Sequence, residues 1–290
     1  MPGTPPAATP SARLPLSDTV FALLRGLVEE KLGLHYEHVD RELLTTRLST
    51  RVDELGFASM LDYYYYLRYD PSGPAEMSTL TEALVVNETY LFRELDQLEV
   101  VASRVISSIV AERGRARVWS AACSTGDEPL TLAMLLHREG LLSRTELVAS
   151  DISDRVLAIA RSGRLGRRSM RRDQMPAFAT RFIRPLSDGA YEVDASLVAR
   201  VDWRRINLMD RPAIDALGQF DVILCRNVLI YFSDSTSVRL VESFHKALRP
   251  GGALFVSVSE SLLRFGTALA CEEQAGVFLY RKARETARQP

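Results

Sequence analysis

The sequence predicts an α/β fold: a Rossmann-like, doubly wound sheet carrying a small antiparallel β insertion, preceded by a small all-α domain. Three observations carry that expectation. Residues 16–86 repeat apolar side chains at helical spacing. After about Glu94, short apolar runs alternate with amphipathic helical stretches, the pattern of a parallel sheet covered on both faces. Within that second part Asp188-Gly189 sits between two alternating runs, as a hairpin turn does.

The elements follow in order. The first 15 residues, MPGTPPAATPSARLP, are proline-rich and lack an apolar h-region, so they are expected to form a disordered leader and not a signal peptide. Phe21, Leu24, Leu27 and Val28 share one helical face, as do Leu44, Leu48, Val52 and Leu55. Ser17-Asp18 and Ala58-Ser59 suit helix starts, and Gly33 and Gly56 suit stops. In the run Tyr63 to Tyr69 some tyrosines should pack and others face solvent. PSGP at 71–74 reads as a turn before the helix TLTEALVV.

Strands are expected at 116–122, 146–153, 220–227, 251–259 and 276–282. Helices are expected at 128–141, from Asp154 and at 234–248. The insertion is placed at about 178–204, within an α/β domain of 87–282, and residues 283–290 read as a tail.

Composition bounds the function. The chain has 290 residues, 47% hydrophobic, with a formal net charge of -1, which suits a soluble protein of one large or two smaller domains. No apolar run approaches the roughly 20 residues a membrane helix needs. Three scattered cysteines, Cys123, Cys225 and Cys271, offer neither a disulfide framework nor zinc-ligand spacing, and point to a reducing cytoplasm. His35 and His38 have no cysteine or third histidine nearby, so no metal is expected. Charge is unevenly spread: residues 155–184 hold nine arginines and one acid, whereas residues 16–86 hold six Lys/Arg and twelve Asp/Glu. A basic block of that density, including Arg161 to Arg172, suits an acidic partner or a solvated helical face.

The chemistry is read at the strand ends, where such sheets bind ligands. The first strand runs into WSAACSTGDEP, a loop of small residues with one glycine followed by Asp127 and Glu128. It lacks G-x-G-x-x-G, and the two acids would repel a pyrophosphate. The second strand ends in Asp151, placed to accept both hydroxyls of a ribose. An adenosine carrying an ammonium group fits better than a dinucleotide, and S-adenosylmethionine is such a ligand. Asp127 and Glu128 also complement the dipole of the helix they begin.

The blocks NETYLFRE (87–94), WSAACSTGDEP, ASDIS, CRNVLIYF (225–232) and PGGALFVSVSESL resemble, in order and spacing, those of the CheR-type chemoreceptor glutamate methyltransferases. The resemblance covers about residues 17–282 and implies a methyltransferase sheet, with S-adenosylmethionine as cofactor and S-adenosylhomocysteine as product. It implies that Asn87, Thr89 and Arg93 line the cofactor and methyl-transfer region. Glu128 and Asp151 would hold the cofactor, with Asn207-Leu208 beside the adenine and Asn227-Val228 flanking the donor. Arg93 and Tyr231 would be the catalytic pair. The implied partner is the cytoplasmic helices of a chemoreceptor, whose C-terminal pentapeptide in some members docks on the β insertion. A cytoplasmic monomer with no nucleic-acid or membrane partner is implied. The family commonly has Gly-His where this chain has Ser257-Val258, and an aromatic residue where it has Leu165.

Two rival readings remain at this level. A nucleic-acid methyltransferase could use the arginine block on phosphates, but neither an Asn/Asp-Pro-Pro-aromatic motif nor a Pro-Cys nucleophile occurs. A non-catalytic cofactor-binding module is disfavoured by the intact Arg93 and Tyr231.

Overall fold

The computed structural model describes residues 16–171 and 175–284. The expected leader, Arg172 of the basic block and residues 285–290 of the tail lie outside the described residues. Contacts divide the chain into a helical unit (residues before Lys31, with His35–Leu84) and an α/β unit (Lys31–Leu34, with Val85 onward).

The helical unit comprises α1 (Asp18–Leu32), whose last residues group with the second unit, α2 (Arg41–Leu55), α3 (Met60–Tyr69) and α4 (Gly73–Leu84). Gly56 ends α2 in the left-handed region, at φ +73°, and the Ser59 side chain caps α3 by accepting from Asp62 N. The helix α4 begins inside the expected PSGP turn. Gly73 is required there, since a Cβ would lie 2.6 Å from Leu67 O. Tyr63 is buried and donates its hydroxyl to Glu76 at 2.7 Å, while Arg51 donates to both oxygens of Glu76 at 2.9 and 2.6 Å. Burial, then the Glu76 carboxylate, pushes the Tyr63 hydroxyl far above its ordinary pKa. A buried acid is tolerated because its oxygens are fully engaged. Tyr65 and Tyr69 stack on each other in solvent, so the tyrosine run divides as its helical spacing requires.

In the α/β unit, α5 (Leu95–Val100) continues through a π turn, Val101–Ile106, into α6 (Ser107–Arg113). Then come β1 (Ala116–Ala121), α7 (Asp127–Arg138), β2 (Thr145–Asp151), α8 (Asp154–Ser162), β3 (Arg164–Leu165), β4 (Ile183–Pro185), β5 (Tyr191–Val193) and α9 (Ala195–Val198). The chain closes with β6 (Val201–Arg205), α10 (Arg211–Ala216), β7 (Phe220–Leu224), α11 (Asp234–Ala247), β8 (Leu248–Phe255), β9 (Ala270–Gln274) and β10 (Val277–Arg281).

The main sheet has the order β6-β2-β1-β7-β8-β10-β9. Its first five strands run parallel, and β10 and β9 are antiparallel. The sheet is therefore mixed where the sequence suggested a parallel one. Ala275 and Gly276, both at positive φ, join β9 to β10 in a tight hairpin, a connection only antiparallel strands can make. Two apolar clusters form its core, one including Val118, Leu132 and Leu224, the other Trp119, Ile223 and Phe244.

The insertion also differs from expectation. Val201–Arg205 pairs with β2 from Leu147↔Val201 to Asp151↔Arg205 and forms the sheet's edge. The separate small sheet is β3-β5-β4, reaching back to Arg164, with Asp188-Gly189 in the β4–β5 hairpin as predicted. Leu165 is buried in β3.

Candidate active site

The strand order reverses between β1 and β7, which opens a crevice at their carboxyl ends. Three loops meet there. The first follows β1 through Ala122, Ser124 and Gly126, all at positive φ. A Cβ at Gly126 would lie 2.8 Å from the Trp203 ring, so only glycine lets the loop close. The second is NETYLFRE, with Phe92 at φ +64° and Glu94 at +48°, and the third is CRNVLIYF, with Asn227 at +60°. Among the described residues, five of the six non-glycine residues at positive φ thus belong to these loops. Such backbone costs of order 1–3 kcal/mol per residue and persists where its surroundings hold it.

The cleft has about 990 Å³ of empty space, part of it open to solvent. All ten residues singled out from the sequence line it: Asn87, Thr89, Arg93, Glu128, Asp151, Asn207, Leu208, Asn227, Val228 and Tyr231. Every lining residue belongs to the α/β unit.

Asp151 accepts Ser124 N–H at 2.9 Å on one oxygen and Ser153 N–H at 3.0 Å on the other. Its carboxylate is thus aimed by backbone at the carboxyl end of β2. Asn207 is fixed by donating to Lys31 O and accepting from Met209 N. Arg93 donates to Glu88 O at 3.3 Å and lies over the Tyr90 ring. The neighbouring acids are engaged elsewhere, Glu88 by Arg171 and Glu94 by Arg226. Arg93 is therefore not spent on the surface ion pair that its sequence neighbours would allow.

Arg226 was missed at the sequence level. Its buried guanidinium donates to Glu128 at 2.9 Å, to Glu94 at 3.0 Å and to Arg93 O at 2.9 Å. Glu128 also accepts from Ser120 at 2.7 Å, so this acid comes to the site already paired. Burial pushes the Glu94 carboxyl up, but Arg226, the Ser257 hydroxyl and the Val258 N–H outweigh it and hold it below its ordinary value. Glu260 was likewise missed: it accepts backbone N–H groups of Asn227, Val228 and Ser257, each at 2.9 Å, and so shapes the third loop. Both residues stood inside quoted motifs, but only their partners reveal their roles.

Other expectations change. Asp127 does not line the cleft: it is buried, accepts from the Thr125 hydroxyl, and burial raises its pKa. It therefore cannot share a ligand cation with Glu128. The basic block is partly neutralised from outside its own stretch, as Arg164 pairs with Asp188, Arg184 with Glu192 and Arg171 with Glu88. Cys123 lines the cleft, but burial, then Asp151 and Glu128, push its thiol well up, which removes it as a nucleophile.

These residues fit S-adenosylmethionine. Asp151 and Glu128 bring two carboxylates to the cleft wall, which suits a ligand with hydroxyls and a positive charge. The glycine-poor loop offers little to a diphosphate.

Comparison with known proteins agrees with this geometry. Residues 87–276 match the family described as CheR methyltransferase, SAM binding domain, and residues 19–85 that described as CheR methyltransferase, all-alpha domain. The chain is 36% identical over 258 residues to chemotaxis protein methyltransferase 2 of Vibrio cholerae serotype O1, covering 87% of this chain and 88% of that protein. It is 36% identical over 256 residues to a chemotaxis protein methyltransferase of Klebsiella aerogenes, covering 86% and 85%. Identity to chemotaxis protein methyltransferase 1 of Pseudomonas aeruginosa is 32% over 250 residues, covering 83% and 90%.

Proposed function

The chain belongs to the CheR methyltransferase family, and we propose that it esterifies glutamate side chains on the cytoplasmic helices of a chemoreceptor. The observation that supports this most is the convergence of Arg93 and Tyr231, from separate loops, on the cleft that Asp151 and Glu128 also line. Asp151 takes the ribose hydroxyls and Glu128, with Asn87 and Thr89, the amino-acid end, while Asn207-Leu208 flank the adenine and Asn227-Val228 the donor. S-adenosylmethionine supplies an electrophilic methyl group when bound and leaves as S-adenosylhomocysteine.

The remaining task falls to the protein. A glutamate carboxylate is already ionised near neutrality, so no general base is needed. Arg93 orients one carboxylate oxygen and leaves the other to attack, and the Tyr231 hydroxyl helps to fix the same group. Alignment of this kind is worth up to about 7–11 kcal/mol. The β3-β5-β4 sheet is the proposed dock for a receptor's C-terminal pentapeptide. We place the enzyme in the cytoplasm as a monomer; among the described residues no helix is long and apolar enough to cross a membrane.

Methyl-labelled cofactor and receptor cytoplasmic fragments provide the test. A glutamate methyl ester releases its label as volatile methanol in mild base. Label that survives base treatment would refute carboxyl methylation.

A further inference from the structure

Ser257 stands two residues past the end of β8, 2% exposed, where the loops of Glu94 and Asn227 meet. Its Oγ donates to Glu94 Oε1 at 2.7 Å and accepts from Asn227 Nδ2 at 2.7 Å. A serine hydroxyl has one proton and two lone pairs. Glu94 ion-pairs with Arg226, and a carboxylate in that state only accepts. Since that carboxylate has no proton to give, the Ser257 proton is committed to Glu94, and Ser257 meets Asn227, as well as the Ser259 hydroxyl at 3.1 Å and N–H at 3.3 Å, only as an acceptor. Were the Asn227 amide turned over, two oxygens would face each other with no proton between them. Its orientation is thus fixed by proton count. The Asn227 backbone is held equally firmly, with N–H donated to Glu260 and φ at +60°. Asn227 lines the cleft, and among the described residues its Oδ1 has no hydrogen-bond partner.

We infer that Ser257 is a positioning residue that turns the Asn227 amide so that Oδ1, the negative end of its dipole, is the side offered to the cleft's ligand. The chemical group it suits is the positively charged sulfonium of the methyl donor. The neutral thioether of the product gains far less from the same oxygen. Ser257 thereby contributes to preferring donor over product, although it touches neither. This rests on the proposed S-adenosylmethionine site.

The test needs no turnover. Calorimetry measures the affinity of the intact chain for S-adenosylmethionine and for S-adenosylhomocysteine, in wild type, Ser257→Ala, Ser257→Gly, Asn227→Ala and the Ser257→Ala/Asn227→Ala double variant. Ser257→Ala and Ser257→Gly should each weaken donor binding about fivefold, with product binding changed less than about twofold. The double variant should discriminate no worse than Asn227→Ala alone. Parallel weakening of both ligands would mark Ser257 as merely structural and overturn the inference, as would no change in either. Binding of neither ligand to the wild-type chain would overturn the cofactor site itself, and this inference with it.

Discussion

Arg226 donates to Glu128 across 2.9 Å with only 2% of its side chain exposed. The same guanidinium holds Glu94 on its other side, so one buried cation serves two acids, one from the second loop and one from the first turn of α7. Arg226→Met should leave both carboxylates facing each other without compensation. A loss of about 3–5 kcal/mol is expected from breaking a buried pair on one side. Chemical denaturation near neutral pH measures it, and Glu94→Gln in the same chain should recover part of the loss.

Glu94 gives the fold an acid limit. Its carboxyl pKa is lower in the folded chain than its ordinary value of 4.5. The stability it contributes is therefore fully present above about pH 4.5 and is lost as pH falls through the folded value. Glu94→Gln should be less stable than wild type at pH 6–7 by a constant margin, and that margin should shrink as pH drops below about 4.5. Denaturant midpoints at several pH values will show whether the curves converge on the acid side.

Asp151 should dominate cofactor affinity. Hydrogen bonds to a charged group are worth about 1.5–3 kcal/mol each, so Asp151→Ala should weaken S-adenosylmethionine binding at least about tenfold. Wild-type affinity in that variant, by calorimetry, would move the ribose elsewhere. Ser124 and Ser153, which aim Asp151 through backbone N–H groups, cannot be tested by side-chain substitution in the same way.

Arg93 should act mainly on rate. Arg93→Ala is expected to cost about 2–4 kcal/mol in the transition state, roughly 30- to 1000-fold in kcat. Receptor KM and the melting temperature should change little. A fall in S-adenosylmethionine affinity that tracks the rate would assign Arg93 to cofactor packing instead.

Arg168 is the member of the arginine block best suited to an acidic substrate, because among the described residues its side chain has no ion pair or hydrogen bond, whereas Arg164, Arg171 and Arg184 are ion-paired and Arg161 and Arg167 donate to backbone carbonyls. Arg168→Glu should raise receptor KM and flatten its salt dependence, with S-adenosylmethionine affinity unchanged. Unchanged KM at low salt would leave the block as a solvated surface.

Legibility from sequence divided along physical lines. Loops that must approach a ligand closely use small residues, so WSAACSTGDEP could be read directly, and Asp151 stood out at a strand end. The edge strand β6 was absorbed into the insertion because VDWRR presents charge toward solvent and little apolar alternation. The strand β9, ACEEQ, is almost wholly exposed and has no apolar signature at all. Arg226 and Ser257 escaped for another reason. Their roles depend on partners 30 to 163 residues away, and a buried arginine looks like any other until its acids are found.

Trp119 lies buried on β1, its indole N–H on Ser150 at 2.9 Å, and the Trp203 ring closes over Gly126. These are the two tryptophans of the chain, and both flank the first loop of the cleft. The helical unit carries tyrosines instead. Excitation at the red edge of indole absorption thus illuminates the α/β unit alone. Red-shifted emission would report its melting separately, and a change in emission on adding donor would report binding beside that loop without any label.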